Sequence, residues 1–164
     1  MPNPDYVFCP RCGVELTRRE LYGAIRAACP NCNWIHFVDP KVAAAVLVLQ
    51  NDRVLLVRRA GEPFRGLWTL PAGFVNSGED PAAAAMRECL EETGMRVQVQ
   101  RIYDIVSGRE HPRGADFVII YHAEVLDGQL KAEDDVDAVE WFGKDELPPL
   151  AFRATQKVLQ SFYA

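Results

Sequence analysis

The 164-residue sequence lacks any apolar run long enough to form a transmembrane helix. Its longest apolar run, residues 42–49, has only the length of a buried strand. The first residues also lack the basic segment and the apolar core of a secretory signal. We therefore expect a cytoplasmic protein that has no membrane partner and forms no disulfide bonds.

A surplus of positive charge is missing as well, because 18 Lys and Arg face 23 Asp and Glu, for a net charge of -5. Proteins that bind nucleic acid through its phosphates usually carry an excess of Lys and Arg. The composition therefore argues against nucleic acid as a partner. An anionic substrate would need a local source of positive charge, such as a metal ion.

The sequence contains no internal repeat and no low-complexity segment, and its length suits one domain plus a small module. Pro40 favours extended backbone at the residue before it, which is typical of a boundary. We therefore predict a small module over residues 1–38 and a main domain over residues 39–164.

Alternating apolar residues and turn signals predict the elements of the main domain. Asn51 and Asp52 suit a tight turn between two strands, whereas residues 64–74 are punctuated by glycine and proline and are expected to be irregular. Strands, a helix, strands and a helix in this order indicate an α/β or α+β layered domain with a mixed sheet. The predicted strands cover residues 42–49, 53–60, 96–106, 116–126 and 138–142, and the closing helix covers residues 151–163.

Two matched cysteine pairs occupy the small module. Cys9 and Cys12, followed by Cys29 and Cys32, give the pattern C-x2-C-x16-C-x2-C. This spacing brings four thiolates around a tetrahedral zinc ion, and four Cys ligands leave no position for a reacting water. We predict a structural zinc ribbon, with four unrelated buried cysteines or a redox C-x-x-C as the alternatives.

The charge of the ribbon bears on its role. Residues 1–41 contain five Lys and Arg and four Asp and Glu. This near-neutral balance favours a scaffold or dimerisation role over nucleic-acid binding. The fifth cysteine, Cys89, is expected to be a small buried hydrophobe, because no His lies near it in sequence to support a nucleophile.

The segment after the irregular stretch predicts a helix with well-defined ends. Asp80 suits the N-cap, Pro81 the first helical position and Gly94 the left-handed residue after the helix. On a helical wheel, one broad apolar arc is expected to pack against the core. Its members are Ala82, Ala85, Met86, Cys89, Leu90 and Thr93.

The opposite side of this helix concentrates negative charge. Glu88, Glu91 and Glu92 lie within about a turn and a half, where like charges repel by a few tenths of a kcal/mol. A solvated acidic face is one interpretation. The other is a site for a hard divalent cation, since Mg²⁺ prefers oxygen ligands and often bridges a carboxylate to a phosphate.

The flanks of the helix favour the metal site. Residues 73–95 fit the pattern G-x5-E-x7-R-E-U-x-E-E-x-G-U, in which U is aliphatic and Cys89 takes one U position. This motif resembles the Nudix box, and the similarity extends over about residues 40–150. It implies the Nudix fold, a mixed sheet sandwiched between helices, here preceded by the ribbon. The fixed positions that match are Gly73, Glu79, Arg87, Glu88, Glu91, Glu92 and Gly94.

The resemblance implies hydrolysis of the diphosphate bond of a nucleoside diphosphate linked to a group X, with Mg²⁺ or Mn²⁺ as cofactor. By position, Glu88 and Glu92 correspond to metal ligands and Glu91 to a further ligand or a base. Arg87 would orient the glutamates, and Glu79 would lock the loop to the helix. Gly73 is assigned to the same metal site, because its backbone can pass close to a ligand.

The family often recruits one more acid from a later loop, as a metal ligand or general base. Glu133, Asp134 and Asp135 are the candidates, with Glu124 behind them. A solvated run of charge is the alternative for these residues.

The identity of X is less defined. A ribbon before a Nudix domain resembles the NADH pyrophosphatase branch, but that branch's S-Q-P-W-P-F-P-x-S stretch is replaced here by residues 107–117. The pattern looks closer to ribbon-bearing FAD or ADP-ribose pyrophosphatases, so FAD, ADP-ribose and NADH are the expected substrates, giving AMP and a phosphorylated X.

Alternatives are a nucleoside triphosphate or cap-type pyrophosphatase and a non-catalytic ligand sensor. Because family members are frequently homodimers, dimer formation stays open. Aromatic residues that could stack on a ring and arginines that could meet phosphate are the candidate substrate contacts. They are Phe64, Arg65, Trp68, Phe74, Tyr103, Arg109 and Arg113.

Overall fold

The computed structural model describes residues 6–112 and 114–163. The chain divides into two compact units, the first ending at Asp39 and the second beginning at Pro40. No helix among the described residues is long and apolar enough to cross a membrane.

The first unit is built on a short hairpin. Strands β1 (Thr17–Leu21) and β2 (Ala24–Ala28) pair antiparallel. One cysteine pair precedes β1 and the other follows β2, so the hairpin brings both pairs to the same end of the unit.

The second unit contains the elements that the sequence predicts and two more. The predicted hairpin, later strands and closing helix are all present, whereas two short strands lie in the segment expected to be irregular. The strands are β3 (Val42–Gln50), β4 (Arg53–Arg59), β5 (Trp68–Thr69), β6 (Ala72–Phe74), β7 (Met95–Ser107), β8 (Phe117–Gly128) and β9 (Val136–Phe142). The helices are α1 (Pro81–Thr93) and α2 (Arg153–Phe162), with a 3-10 turn at Lys144–Glu146.

These strands form a mixed sheet around β3. Strand β3 pairs in parallel with β8 and antiparallel with β4 and β6. Strand β4 also pairs with β5 and β9, and β7 extends the sheet beyond β8. The predicted mixed sheet is therefore confirmed.

The side chains of β3 alternate between two cores, one on each face of the sheet. Ala44, Val46 and Val48 belong to the cluster that contains Ala85 and Cys89 of α1. On the other face, the cluster contains Ala45 and Leu47 together with Val158 and Leu159 of α2. This period of two places one helix on each face, which confirms the predicted sandwich.

Helix α1 has the predicted ends. The side chain of Asp80 accepts hydrogen bonds from the backbone N–H of Ala82 and Ala83, at 2.9 and 3.1 Å. Gly94 is left-handed, with φ of 69°, and its N–H donates to the carbonyl of Leu90. A side chain at Gly94 would be strained in this conformation, so the glycine fixes where the helix stops.

Helix α2 begins in a different way, because its N-cap Phe152 offers no polar side chain. The cap comes instead from Glu110, in the loop between β7 and β8. Its carboxylate accepts from the N–H of Arg153 at 2.8 Å and of Ala154 at 3.0 Å. Glu110 therefore supplies partners for N–H groups that helix geometry leaves unpaired, and it fastens this loop to α2.

Replacing Glu110 with Ala is expected to lower the free energy of unfolding by about 1 kcal/mol, because both N–H groups lose their acceptor. Urea denaturation of both proteins at neutral pH measures the change. Glu140→Ala is the matched control, since this exposed residue lies on β9 and its loss is expected to cost less than about 0.5 kcal/mol. Equal losses for the two variants would contradict the capping role.

Candidate active site

The three clustered glutamates of α1 differ in exposure. Glu91 is 45% exposed at its side chain, whereas Glu88 is 12% exposed and Glu92 as a residue only 5%. The helical wheel predicts a shared polar side, and the structure covers much of that side with β6. The backbone N–H of Ala72 donates to the Glu92 carboxylate at 3.0 Å.

Arg87 joins this cluster to the loop before the helix. Its Nε and Nη2 donate to the two carboxylate oxygens of Glu79, at 2.8 and 3.0 Å. Its Nη1 donates to Glu88 at 2.6 Å and to Glu91 at 2.8 Å. One guanidinium thus contacts three carboxylates, and such charge-assisted bonds fix both geometry and distance.

The loop itself approaches the helix closely. Glu79 also accepts from the backbone N–H of Asn76 at 2.9 Å, and Arg87 donates to the carbonyl of Phe74 at 3.2 Å. At Gly73, a Cβ atom would overlap the carboxylate of Glu88. Glycine is therefore the residue that lets this backbone lie against Glu88.

The carboxylates of this cluster shift one another's protonation. Burial raises the pKa of Glu92 well above its ordinary value, and the charges of Asp135, Glu88 and Asp134 raise it further. Burial also raises the pKa of Glu88, against the opposing effect of its bond to Arg87. The charged forms of Glu88 and Glu92 are therefore disfavoured unless a positive charge compensates for burial.

The loop between β8 and β9 brings the later acids to this cluster. The N–H of Glu133 donates to the carbonyl of Glu92, so the loop lies against the end of α1. Asp134 and Asp135 are near enough to raise the pKa of Glu92 by their charge. The carboxylate of Glu133 pairs with Lys131. Glu124 lies on β8, within 3.4 Å of the Gln100 amide.

These oxygen donors fit Mg²⁺ or Mn²⁺, which prefer carboxylates with room left for phosphate and water. In this conformation Glu88 and Glu91 both accept hydrogen bonds from Nη1 of Arg87, so an arginine nitrogen lies between their oxygens. Across residues 6–112 and 114–163, only the four ribbon cysteines place three or more ligand atoms within 4.8 Å of one another. Cation binding at the glutamates would therefore need these side chains to reorient.

A cavity of about 210 Å³ opens beside β6. Small residues of β3, β6 and the β7–β8 loop make room for it, and Gly73 and Phe74 connect it to the glutamate cluster. Arg59 lines the cavity with its guanidinium over the ring of Phe152, 5.4 Å from the ring centre. Its Nε donates to the carbonyl of Pro63 at 2.8 Å.

Of the four aromatic residues that are candidate substrate contacts, two lie at or near the cavity and two lie in or against the core. Phe74 lines the cavity, and Phe64 packs edge-on against Phe152 with ring centres 5.1 Å apart. Trp68 is buried in the core beside Phe142, and Tyr103 packs against the same core.

The two candidate arginines that the structure describes, Arg65 and Arg109, lie towards solvent. Arg65 is exposed, and Arg109 is exposed and paired with Asp116 at 3.2 Å. Arg113 lies outside the described residues. Sequence reasoning missed other residues that line the cavity, namely Arg59, Thr69, Glu110, Phe152 and Thr155. The charge of Arg59 at the end of an apolar strand was the one signal available for them.

The four ribbon cysteines converge on a single point. Cys9 and Cys32 have Sγ atoms 3.5 Å apart, and Cys12 and Cys29 have Sγ atoms 3.4 Å apart. A disulfide bond would need about 2 Å, whereas tetrahedral ligands at about 2.3 Å from zinc lie roughly 3.8 Å apart. The N–H of Cys32 points at the sulfur of Cys29, as in a metal-binding knuckle. The cluster could therefore hold zinc.

Cys89 is separate from this cluster and lies in the core under α1. Burial raises the pKa of its thiol to about 11. The side chain therefore stays protonated near neutral pH and lacks the thiolate that a nucleophile requires.

The model of the NUDIX domain family matches residues 39–162. The chain therefore belongs to the NUDIX family, as the motif in residues 73–95 predicts. A NUDIX hydrolase from Nitrosomonas europaea has a similar structure, with a TM-score of 0.85 and 34% identity, covering 96% of this chain and 90% of that one.

Two curated relatives extend the comparison. The ADP-ribose pyrophosphatase of Methanocaldococcus jannaschii is 37% identical over 117 residues, covering 71% of this chain and 69% of the relative. The NAD-capped RNA hydrolase NudC of Pseudomonas aeruginosa is 30% identical over 144 residues, covering 87% of this chain. This chain spans only 50% of that relative.

The bond between Arg87 and Glu79 predicts a specific dependence of stability on pH. Arg87 and the Asn76 N–H lower the pKa of Glu79 to about 2. The pKa of Glu79 is lower in the folded state than in the unfolded state, where it is about 4.3. The ionised Glu79 therefore contributes its full stabilisation at pH values above about 4.3. Its contribution is lost as the pH falls towards about 2.

Glu79→Gln is therefore expected to lose less stability than the wild type between about pH 4.3 and about pH 2. Urea midpoints across this range measure the difference, with Glu140→Gln as an exposed control. Parallel curves for wild type and Glu79→Gln would contradict the coupling.

Proposed function

We propose that this chain is a divalent-metal-dependent Nudix pyrophosphatase that acts on an adenine-containing derivative of a nucleoside diphosphate. ADP-ribose, NADH and FAD are the leading substrates, with AMP and a phosphorylated second product released. The observation that carries the proposal is the carboxylate cluster around Arg87, which lies beside a cavity through Gly73 and Phe74. The similarity to an ADP-ribose pyrophosphatase supports this substrate class.

Glu88 and Glu92 are the proposed ligands of Mg²⁺ or Mn²⁺. A divalent ion at this position supplies positive charge to the diphosphate and activates water for attack on phosphorus. The two carboxylates suit this role because both lie where α1 approaches β6, with Glu92 accepting from the N–H of Ala72 and Glu88 lying against Gly73. Such an ion also accounts for an acidic protein that acts on an anionic substrate.

The other residues of the cluster position the reacting groups. Arg87 orients Glu88 and Glu91, and Glu79 holds Arg87 against the loop of residues 73–79. Glu91 is exposed enough to act as a further ligand or to accept a proton from water. Asp135 is a further candidate base, because its charge acts on Glu92.

The cavity is the proposed site for the ring of the nucleotide. Its lining is mostly small and apolar, and Phe74 and Phe152 contribute phenyl rings to it. The guanidinium of Arg59 uses Nε for a backbone carbonyl, and its terminal nitrogens make no hydrogen bond to residues 6–112 or 114–163, so they could meet a phosphate or ribose oxygen.

A second candidate substrate is NAD-capped RNA, because the similar chain from Pseudomonas aeruginosa is named as an NAD-capped RNA hydrolase. The net charge of -5 gives little support for binding the RNA body. Hydrolysis of the NAD cap would break the same kind of diphosphate bond. The capped RNA differs from free NAD only in the RNA chain attached to the dinucleotide.

The proposal is tested with purified protein, Mg²⁺ or Mn²⁺, and a substrate panel. The panel contains ADP-ribose, NADH, NAD, FAD, a deoxynucleoside triphosphate and an NAD-capped RNA. We expect hydrolysis of at least one adenine dinucleotide or ADP-ribose, with AMP as a product. Glu92→Gln is expected to lose at least about a hundredfold in kcat while keeping the bond from Ala72, since Gln retains an acceptor oxygen.

Three results would contradict the proposal. The first is that the wild type hydrolyses no compound of the panel, and the second is full activity after all divalent ions are removed. The third is a Glu92→Gln variant with the kcat of the wild type. The variant's circular dichroism and unfolding midpoint serve as the control for folding.

For the ribbon, we propose a structural zinc ion held by Cys9, Cys12, Cys29 and Cys32. We expect about one zinc per chain in the wild type and nearly none in a Cys9→Ser, Cys29→Ser double variant. The double variant should also unfold at a lower temperature, because bound metal stabilises the folded state. Elemental analysis by mass spectrometry measures the zinc.

Cys89→Ala is the matched control for the zinc measurement, because this cysteine lies outside the cluster. Its zinc content should equal that of the wild type. Unchanged zinc in the double variant would overturn the assignment.

A further inference from the structure

Two buried threonines line the cavity from different elements. Thr69 ends strand β5, and Thr155 lies in the first turn of α2. Their Oγ1 atoms are 3.0 Å apart and hydrogen-bonded. Thr69 is 7% exposed and Thr155 is 4% exposed, so this polar pair sits almost entirely out of solvent.

The pair retains unused hydrogen-bonding capacity. Two hydroxyls carry two hydrogens, and the bond between them uses only one. Within the described part of the chain, neither Oγ1 has another hydrogen-bond partner. One O–H donor and several oxygen lone pairs therefore remain for a third group.

The cavity around the two threonines would make their remaining hydrogen-bonding groups selective for a particular ligand. The cavity wall includes the apolar residues Leu70, Val118 and Ile120, while Arg59 and Glu110 are charged residues of the same lining. In a pocket of this kind, a few placed polar groups fix the orientation of a ligand. A site built to hydrogen-bond a ligand group discriminates strongly against ligands that lack it, because its own polar atoms are then left unpaired.

We propose that Thr69 and Thr155 recognise the heterocyclic ring of the nucleotide substrate, by donating the free O–H to a ring nitrogen or a carbonyl oxygen. The inference rests on the proposed function and adds the element that selects the ring. Phe152 and Arg59 line the same cavity. Their planar groups can stack on the heterocyclic ring of the substrate while the threonine hydroxyls hydrogen-bond to the edge of that ring.

A purely structural role for the pair makes a different prediction. The bond ties β5 to α2, so removing it would lower stability whatever the substrate. Recognition instead predicts a loss of affinity for one ligand fragment. The two roles are separated by measuring unfolding midpoints and ligand affinities on the same variants.

The test uses Thr69→Val and Thr155→Val, which remove the hydroxyl and keep the side-chain volume. We expect each to raise KM for the preferred substrate of the panel about tenfold, with kcat within about twofold of the wild type. Thr155→Ser retains a hydroxyl and should restore KM. Thr17→Val is the control, because the hydroxyl of Thr17 binds a backbone carbonyl in the ribbon unit.

Fragment binding identifies the recognised ring. Isothermal titration calorimetry uses AMP and the other half of the preferred substrate, which is ribose 5-phosphate for ADP-ribose, flavin mononucleotide for FAD and reduced nicotinamide mononucleotide for NADH. The dissociation constants do not depend on hydrolysis. The half of the substrate that lies in the cavity should bind about tenfold more weakly to both Val variants, and the other half should be unaffected.

The outcomes separate this inference from the proposed function. If the wild type hydrolyses a panel compound but the Val variants keep its KM and both fragment affinities within twofold, recognition by the threonines is overturned, whatever the unfolding midpoints. If the wild type hydrolyses nothing, the proposed function fails and the inference fails with it.

Discussion

The site depends on a single guanidinium that is shared among carboxylates of two segments. Arg87 binds Glu79 of the loop with two parallel hydrogen bonds, and it binds Glu88 and Glu91 of its own helix. The loop can lie this close only because Gly73 has no side chain to meet Glu88. Loop, helix and carboxylates are thereby held in one arrangement, and the cavity opens at the edge of that arrangement.

This arrangement accounts for a cluster of like charges that would otherwise destabilise the helix. Arg87 balances part of the charge, while burial of Glu88 and Glu92 keeps the remaining charge costly and raises their pKa values. Asp134 and Asp135 add to the same field from the β8–β9 loop. The divalent cation that we propose here would offset this charge, and it would give a protein of net charge -5 a means of binding a diphosphate.

Features that depend on neighbouring residues could be predicted from the sequence. The ends of α1, the turn at Asn51 and Asp52 and the fixed spacing of the Nudix motif all follow from local chemistry. Features that depend on distant pairs could not. Glu110 caps a helix 43 residues away, and Thr69 meets a hydroxyl 86 residues away. The burial of Glu92 also escaped prediction, because a helical wheel does not show that a short strand covers the polar side.

The divalent-cation site that we propose at the glutamates around Arg87 can be tested directly. Direct binding of Mn²⁺, followed by electron paramagnetic resonance without substrate, tests it independently of turnover. We expect the wild type to bind Mn²⁺ at least about tenfold more tightly than Glu88→Gln and Glu92→Gln, because each variant loses a carboxylate ligand. Mn²⁺ binding that is absent from the wild type, or equal in all three proteins, would contradict a cation site at these glutamates.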